Sequence, residues 1–309
     1  HFKEALKLNP SNPAAYNNLG NILTDLQLYE EAQKLIQYAI NIKPDFAEAH
    51  NNLGNVFKEQ KEYEKAIPHY EKAININPNY FEAYNNLGVV FNKLKNYSEA
   101  EEALKKAIQL HPEFAEAYSN LGSVFTNQKQ YSQAIKYFDQ AIKINPSNAE
   151  AYNNLGVAFN KLKNYSKAKT TLLKAIQLSP EFVEAYSNYA KVQENLNDYA
   201  GAIYSLSQAL DLKPNSHSIN INLADTYSNQ KLYGKALRHY IKAISLNKGS
   251  FEGYSSIILM LQNINKLAKA IKWAKRAVEK LPDNHEAHFS LGSLLNRAAY
   301  YVNAEKHLQ

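Results

Sequence analysis

Seven asparagines recur at one interval in this chain: Asn18, Asn52, Asn86, Asn120, Asn154, Asn188 and Asn222. Each stands thirty-four residues beyond the last, and Ser256 and Ser290 continue the series. Asparagine is a mediocre helix former because its amide competes for nearby backbone hydrogen bonds. Yet the segments that carry it, "YNNLG" at 16–20, 84–88 and 152–156, sit in sequence with helical spacing. A primary amide has two N–H donors and an oxygen with two lone pairs. A row of such amides can bond the N–H and C=O groups of an extended polypeptide without reading its side chains. One bond contributes only about 0.5–1.5 kcal/mol net, so several in register hold a peptide where one would not.

Other chemistries find little support. The chain has no cysteine, which removes disulfides, thiolate metal sites and cysteine nucleophiles. Histidines 50, 69, 111, 217, 239, 285, 288 and 307 are scattered among unrelated positions. His285 and His288 are three apart on one predicted helix, a spacing that permits shared metal binding. No third ligand accompanies them, so they read as helix-start residues. No phosphate loop, nucleophile elbow or carboxylate pair stands out. No catalytic residue, metal site or cofactor is expected, and the segment reads as non-catalytic, although a longer protein could carry a catalytic domain elsewhere.

The elements that must position the asparagines follow from the same period. Counted from 13, 47, 81 and onward, the twentieth residue of each unit is alanine, from Ala32 through Ala304. The twenty-seventh is alanine too, from Ala5 through Ala277, and the seventeenth is tyrosine except at Leu267. The eighth is small: Gly20, Gly54, Gly88, Gly122, Gly156 and Gly292, with Ala190 and Ala224 between. Prolines fall in one register from Pro10 to Pro282, missed only at Lys248. Within 47–78, Leu53, Val56 and Phe57 have helical spacing, as do Ala66, Ile67, Tyr70, Ala73 and Ile74. The polar "KEQKEY" lies between them, so each unit reads helix–turn–helix. Small residues let two helices approach, large ones fill the gaps as knobs, and proline ends the second helix. Asp45 and Asn79 are placed to cap the next first helix.

The order Leu53–Gly54, Phe57, Ala66, Tyr70, Ala73 and Pro78 resembles the signature of the tetratricopeptide repeat family. The resemblance covers full repeats at 13–46, 47–80, 81–114, 115–148, 149–182, 183–216, 217–250 and 251–284, with partial ones at 1–12 and 285–309. It implies an all-α, right-handed superhelical solenoid in a single array, with first helices lining a concave groove. In that fold the sixth position faces the groove, which turns the seven asparagines into a ladder. The ladder resembles the superhelix before the catalytic region of O-linked N-acetylglucosamine transferases, whose groove asparagines hold substrate backbones. Similar ladders occur in cargo-binding members of the family.

The fifth, ninth, twelfth and thirteenth positions are expected to flank the ladder. They include Asn17, Asn51, Asn85 and Asn153, then Asn55, Lys58, Lys93, Asn127 and Lys161. Ile221, Leu259 and Phe289 enter the same positions toward the C-terminus. The unit 251–284 departs most from the pattern, with Ile258 at the eighth position and Ala274 at the twenty-fourth, which predicts altered curvature or looser packing. Pro68 is expected to kink its helix.

Net charge is +6 with 309 residues, 45% hydrophobic and 21% charged. Glu48, Glu82, Glu116, Glu150 and Glu184 favour the positive N-termini of first helices and make the groove rim acidic. Lys105, Lys106, Lys272, Lys275 and Arg276 read as a scattered, solvated face, not the basic stripe a nucleic acid requires. No apolar run reaches membrane-spanning length. The expected partner is therefore an extended or disordered protein segment in the groove, with neither nucleic acid nor membrane. The competing readings are the substrate arm of a protein glycosyltransferase, and an assembly subunit working through its convex face or ends. The chain opens at His1 within a repeat and ends within another, as a cut from a longer array would, and end-to-end stacking of copies could complete one repeat. The absence of cysteine and of a visible signal peptide makes the cytoplasm the expected compartment.

Overall fold

The computed structural model describes the backbone of residues 11–308 and the side chains of residues 11–299. Residues 1–10 of the first partial repeat, Ala5 and Pro10 among them, and the side chains of Ala304 and His307 lie outside those limits. The described residues form helices and no strand, and none of the helices is long and apolar enough to cross a membrane.

The chain divides into two compact units, His1–Leu162 and Lys163–Gln309. The first holds α1 (Pro13–Asp25), α2 (Tyr29–Ile42), α3 (Ala47–Glu59), α4 (Tyr63–Ile76), α5 (Phe81–Lys93), α6 (Tyr97–Leu110), α7 (Ala115–Asn127), α8 (Tyr131–Ile144) and α9 (Ala149–Lys161). The second holds α10 (Tyr165–Leu178), α11 (Val183–Asn195), α12 (Tyr199–Leu212), α13 (His217–Asn229), α14 (Tyr233–Leu246), α15 (Glu252–Asn263), α16 (Leu267–Lys280) and α17 (His285–Leu308). Odd-numbered helices are the first of each pair and even-numbered ones the second. Within each unit, helices pack on their chain neighbours, and first helices also touch the next first helix, as α1 does α3 and α11 does α13. No comparable contact joins successive second helices of a unit among the described residues. The first helices therefore form the tighter, inner layer of each stack.

The alanine positions explain how the pairs close. Ala32, Ala66, Ala100 and Ala134, with Ala39, Ala73, Ala107 and Ala141, are fully buried, as are their described counterparts from Ala168 to Ala277 in the second unit. The eighth and twenty-fourth positions form a hole and a knob. A Cβ built on Gly54 would lie 2.7 Å from Tyr70 Cε1, and one on Gly122 would lie 2.7 Å from Phe138 Cε1. In 251–284 the pair is inverted: Ile258 projects from the first helix and Ala274 lies on the second, both buried. The expected loosening does not occur at this pair, because volume lost from one helix is restored from the other.

Each hairpin turns on a residue at the fifteenth position. Gln27, Lys61, Lys95, Lys129, Lys163, Asn197, Lys231 and Asn265 all have φ between 57° and 64°. Around Lys61 the Glu62 N–H bonds the Phe57 carbonyl at 2.9 Å and the Lys61 N–H bonds that of Lys58 at 2.9 Å. This pairing satisfies the last carbonyls of a helix through one left-handed residue.

Two local expectations change, at the caps and at the C-terminal helix. Neither Asp45 nor Asn79 caps a helix: α3 and α5 start from Phe46 and Tyr80 with no side-chain cap. The Phe46 ring packs instead on the core of α2 and α3, so burial takes the place of the cap. α4 includes Pro68 and has the same fourteen residues as the other second helices, so the proline does not end it early. Finally, α17 is one continuous helix of 24 residues, not the helix–turn–helix start expected of a partial repeat. The position that would turn there is Ala299, preceded by Ala298. Alanine is the best helix former and resists the left-handed conformation that lysine or asparagine adopts at the other turns.

Candidate functional site

Helix α3 presents Asn52 and α5 presents Asn86 half-buried, while their neighbours Asn51 and Asn85 are buried, at 5% and 2% exposure. Both members of each pair form hydrogen bonds to a neighbouring repeat, through separate stitches. Asn52 Nδ2 donates to Asn17 Oδ1 at 3.0 Å, Asn86 Nδ2 to Asn51 Oδ1 at 3.0 Å, and Asn120 Nδ2 to Asn85 Oδ1 at 2.8 Å. Every sixth-position amide here is thus clamped by the fifth-position amide of the preceding repeat. Asn85 also donates from Nδ2 to Glu116 Oε1 at 3.0 Å, and Glu116 lies one turn before Asn120 on α7. On α9 the pattern changes because its predecessor offers Ser119; Asn154 Oδ1 accepts from Asn153 Nδ2 at 3.2 Å.

The fifth-position asparagines therefore do not flank a groove. They lie beneath the ladder and orient it. Asn18 is exposed at the start of the series. Asn55 Oδ1 accepts the Tyr70 hydroxyl at 2.8 Å, tying α3 to its own second helix. Asn127 donates to Asn92 Oδ1 at 2.9 Å, a second inter-repeat stitch. Lys58 is half-buried and 3.5 Å from Glu59, whereas Lys93 and Lys161 are exposed at the ends of α5 and α9.

In the second unit Asn188 is half-buried on α11 and Asn222 exposed on α13. One stitch between these helices is Thr226 Oγ1 donating to Glu194 Oε1 at 2.6 Å. Ile221, expected in the groove, is 4% exposed and belongs to the core with Ala224, Tyr240 and Ile257. Its β-branched apolar side chain occupies the buried fifth position that asparagine holds elsewhere. Leu259 and Phe289 are exposed, at 58% and 79%. His288 Nε2 lies 2.8 Å from the Pro282 carbonyl, as His50 Nε2 lies 3.1 Å from that of Pro44. Both histidines thus fasten a helix start to the preceding proline. No group of three or more metal-ligating side chains occurs among the described residues.

A family model described as the cilia and flagella-associated protein 70 C-terminal domain, a tetratricopeptide-repeat model, matches residues 2–218. A tetratricopeptide repeat model matches residues 217–249. The chain belongs to the tetratricopeptide repeat family. No curated protein matches it. The crystal structure of the APC/C hetero-tetramer Cut9–Hcn1 contains a similar fold, with a TM-score of 0.70 and 17% identity over 84% of this chain. The chain spans 51% of that neighbour's length. The crystal structure of YrrB, titled a TPR protein with an unusual peptide-binding site, has a TM-score of 0.45 and 27% identity over 60% of this chain and 95% of its own. Tetratricopeptide arrays are, as a class, scaffolds for protein–protein interaction.

One titratable pair in the tetratricopeptide array repeats a neutral one. Asp225 Oδ1 accepts the Tyr240 hydroxyl at 2.6 Å, where Asn55 accepts that of Tyr70. Burial raises the Asp225 carboxyl above the usual range; the Tyr240 hydrogen bond opposes this, and Glu194 adds to it. The folded chain therefore binds this proton more tightly than the unfolded chain does. Its contribution to stability is present below the ordinary carboxylate pKa and is lost as pH rises through the raised one. Asp225→Asn keeps the acceptor and removes the charge. Urea denaturation from mildly acid to neutral pH should show a flatter pH dependence and higher neutral stability than in the unsubstituted chain.

Proposed function

We propose that the tetratricopeptide array binds an extended polypeptide segment along its inner layer, with the ladder asparagines bonding the peptide backbone. The observation that carries this reading is the clamping of Asn52, Asn86 and Asn120. Each spends one N–H on the amide behind it, which fixes the amide plane. The second N–H and the oxygen of each have no other partner among the described hydrogen bonds and are left for a ligand. Groups held in place before binding lose little conformational entropy when they bind. The glutamates in the first turns of α3, α5, α7 and α9 give the same face a negative rim. The ligand class is therefore a flexible, polar segment recognised mainly through its main chain.

The test must separate binding from stitching. Changing Asn52, Asn86 and Asn120 together to Ala should weaken binding of a pool of unstructured peptides by at least about tenfold, three lost bonds of about 0.5–1.5 kcal/mol each. Changing Asn51 and Asn85 to Ala removes two clamps but leaves the ladder amides, so binding should fall by a smaller factor. Equal losses in the two variants, with folds intact by circular dichroism, would make the asparagines stitches alone.

A further inference from the structure

The second helix of the most divergent repeat carries the largest positive excess of the described second helices, five cations against Glu279. Lys266, Lys269, Lys272, Lys275, Arg276 and Lys280 are all exposed along α16 and its N-terminal flank. They rim a cleft of about 810 Å³ between α14, α15 and α16, whose remaining rim charge is Glu279. None of the six forms an ion pair among the described residues. The corresponding cleft against α5 and α6 is smaller, about 540 Å³, and its lining sets Glu99 and Glu102 beside Lys105 and Lys106. Lys105 there is held by Glu101 at 2.6 Å. α10 and α14 also carry cations without an acid, but the positive excess is largest on α16, where it gathers around a cleft.

The floor is apolar. Leu237, Met260, Leu261 and Trp273 line it, and Gly234 leaves its α14 side low, since a Cβ there would meet nothing within 4 Å. Trp273 is half-buried, with its ring 6.2 Å from that of Tyr254 and the Arg276 guanidinium 5.1 Å from its centroid. A base-stacking site needs open aromatic faces, and this ring already faces an arginine. An aliphatic floor inside a ring of cations matches a polypeptide that brings one large apolar side chain between carboxylates.

We propose that this outer cleft docks an acidic polypeptide segment, with an apolar side chain seated on Leu237, Met260 and Trp273 and carboxylates paired to the α16 cations. The site is separate from the inner ladder and goes beyond the function proposed for it. Trp273 is the only tryptophan of the chain, so its emission reports on the cleft without a label.

The experiment titrates the full chain with a short Asp- and Glu-rich peptide containing a central Leu–Phe, reading Trp273 emission and the anisotropy of the labelled peptide. Binding should be saturable and weaken with added salt, as paired surface charges are screened. It should weaken at least about tenfold both in Lys272→Glu/Arg276→Glu and when Leu–Phe becomes Ser–Ser. The Asn52/Asn86/Asn120 alanine variant should bind this peptide unchanged. The substituted α16 residues are exposed, and thermal melts verify that the variants fold. Equal binding by the Ser–Ser peptide, equal binding by the charge-reversed chain, tighter binding of a single-stranded oligonucleotide, or no emission change would each overturn the proposal.

Discussion

Truncating Phe138 to alanine should lower the stability of the first unit by about 3–5 kcal/mol, the range for removing a buried phenylalanine. Phe138 is 1% exposed and sits in the core that joins α6, α7 and α8. Its ring fills the space that Gly122 leaves open, and the backbone of α7 cannot close over the void while Leu121 and Val124 hold it in place. Gly122→Ile alone should also destabilise, by about 1–3 kcal/mol or more, because its side chain would enter space the ring already fills. The double variant should be less damaged than the sum of the two. It recreates the arrangement that Ile258 and Ala274 already adopt, where the first helix supplies the bulk. Equilibrium denaturation of the four chains, followed by circular dichroism, gives the coupling directly. A double variant as unstable as the summed singles would show that the hole and knob cannot trade places within this part of the array.

The second large effect concerns the buried half of the asparagine pairs. Asn85→Ala should cost about 1–3 kcal/mol, since it removes two hydrogen bonds between α5 and α7, one of them to a carboxylate. Asn85 accepts from Asn120 and donates to Glu116, at 2% exposure. Asn18→Ala, at an exposed position on α1, should fall within about 0.5 kcal/mol of the unsubstituted chain. The two variants exchange the same side chain for the same methyl group and differ only in what the amide touches. If they prove equally silent in denaturation, the stitch between repeats contributes no stability. If Asn85→Ala also weakens peptide binding, the clamped amide of Asn120 depends on its partner for orientation.

Much of this architecture was legible in the residues alone. Alanine at the twentieth and twenty-seventh positions, small residues at the eighth and proline after the second helix are local requirements of a closely packed helix pair. Each recurs wherever the pair recurs, so a single chain displays them repeatedly. The sixth-position asparagines were legible as a recurring series for the same reason. What each amide does was not. Adjacent residues on a helix point about 100° apart, so whether Asn85 or Asn86 turns inward depends on how far α5 is rotated against α7. Asn120 and Asn85 meet across thirty-five residues because two helices settle at one relative height. Neither quantity is carried by the order of residues along one helix. The cationic cleft, which α14, α15 and α16 enclose together, belongs to the same class. Composition and period determined that helix pairs would stack. Only the packed structure decided which amides lie between them, and where unpaired charge gathers around an apolar floor.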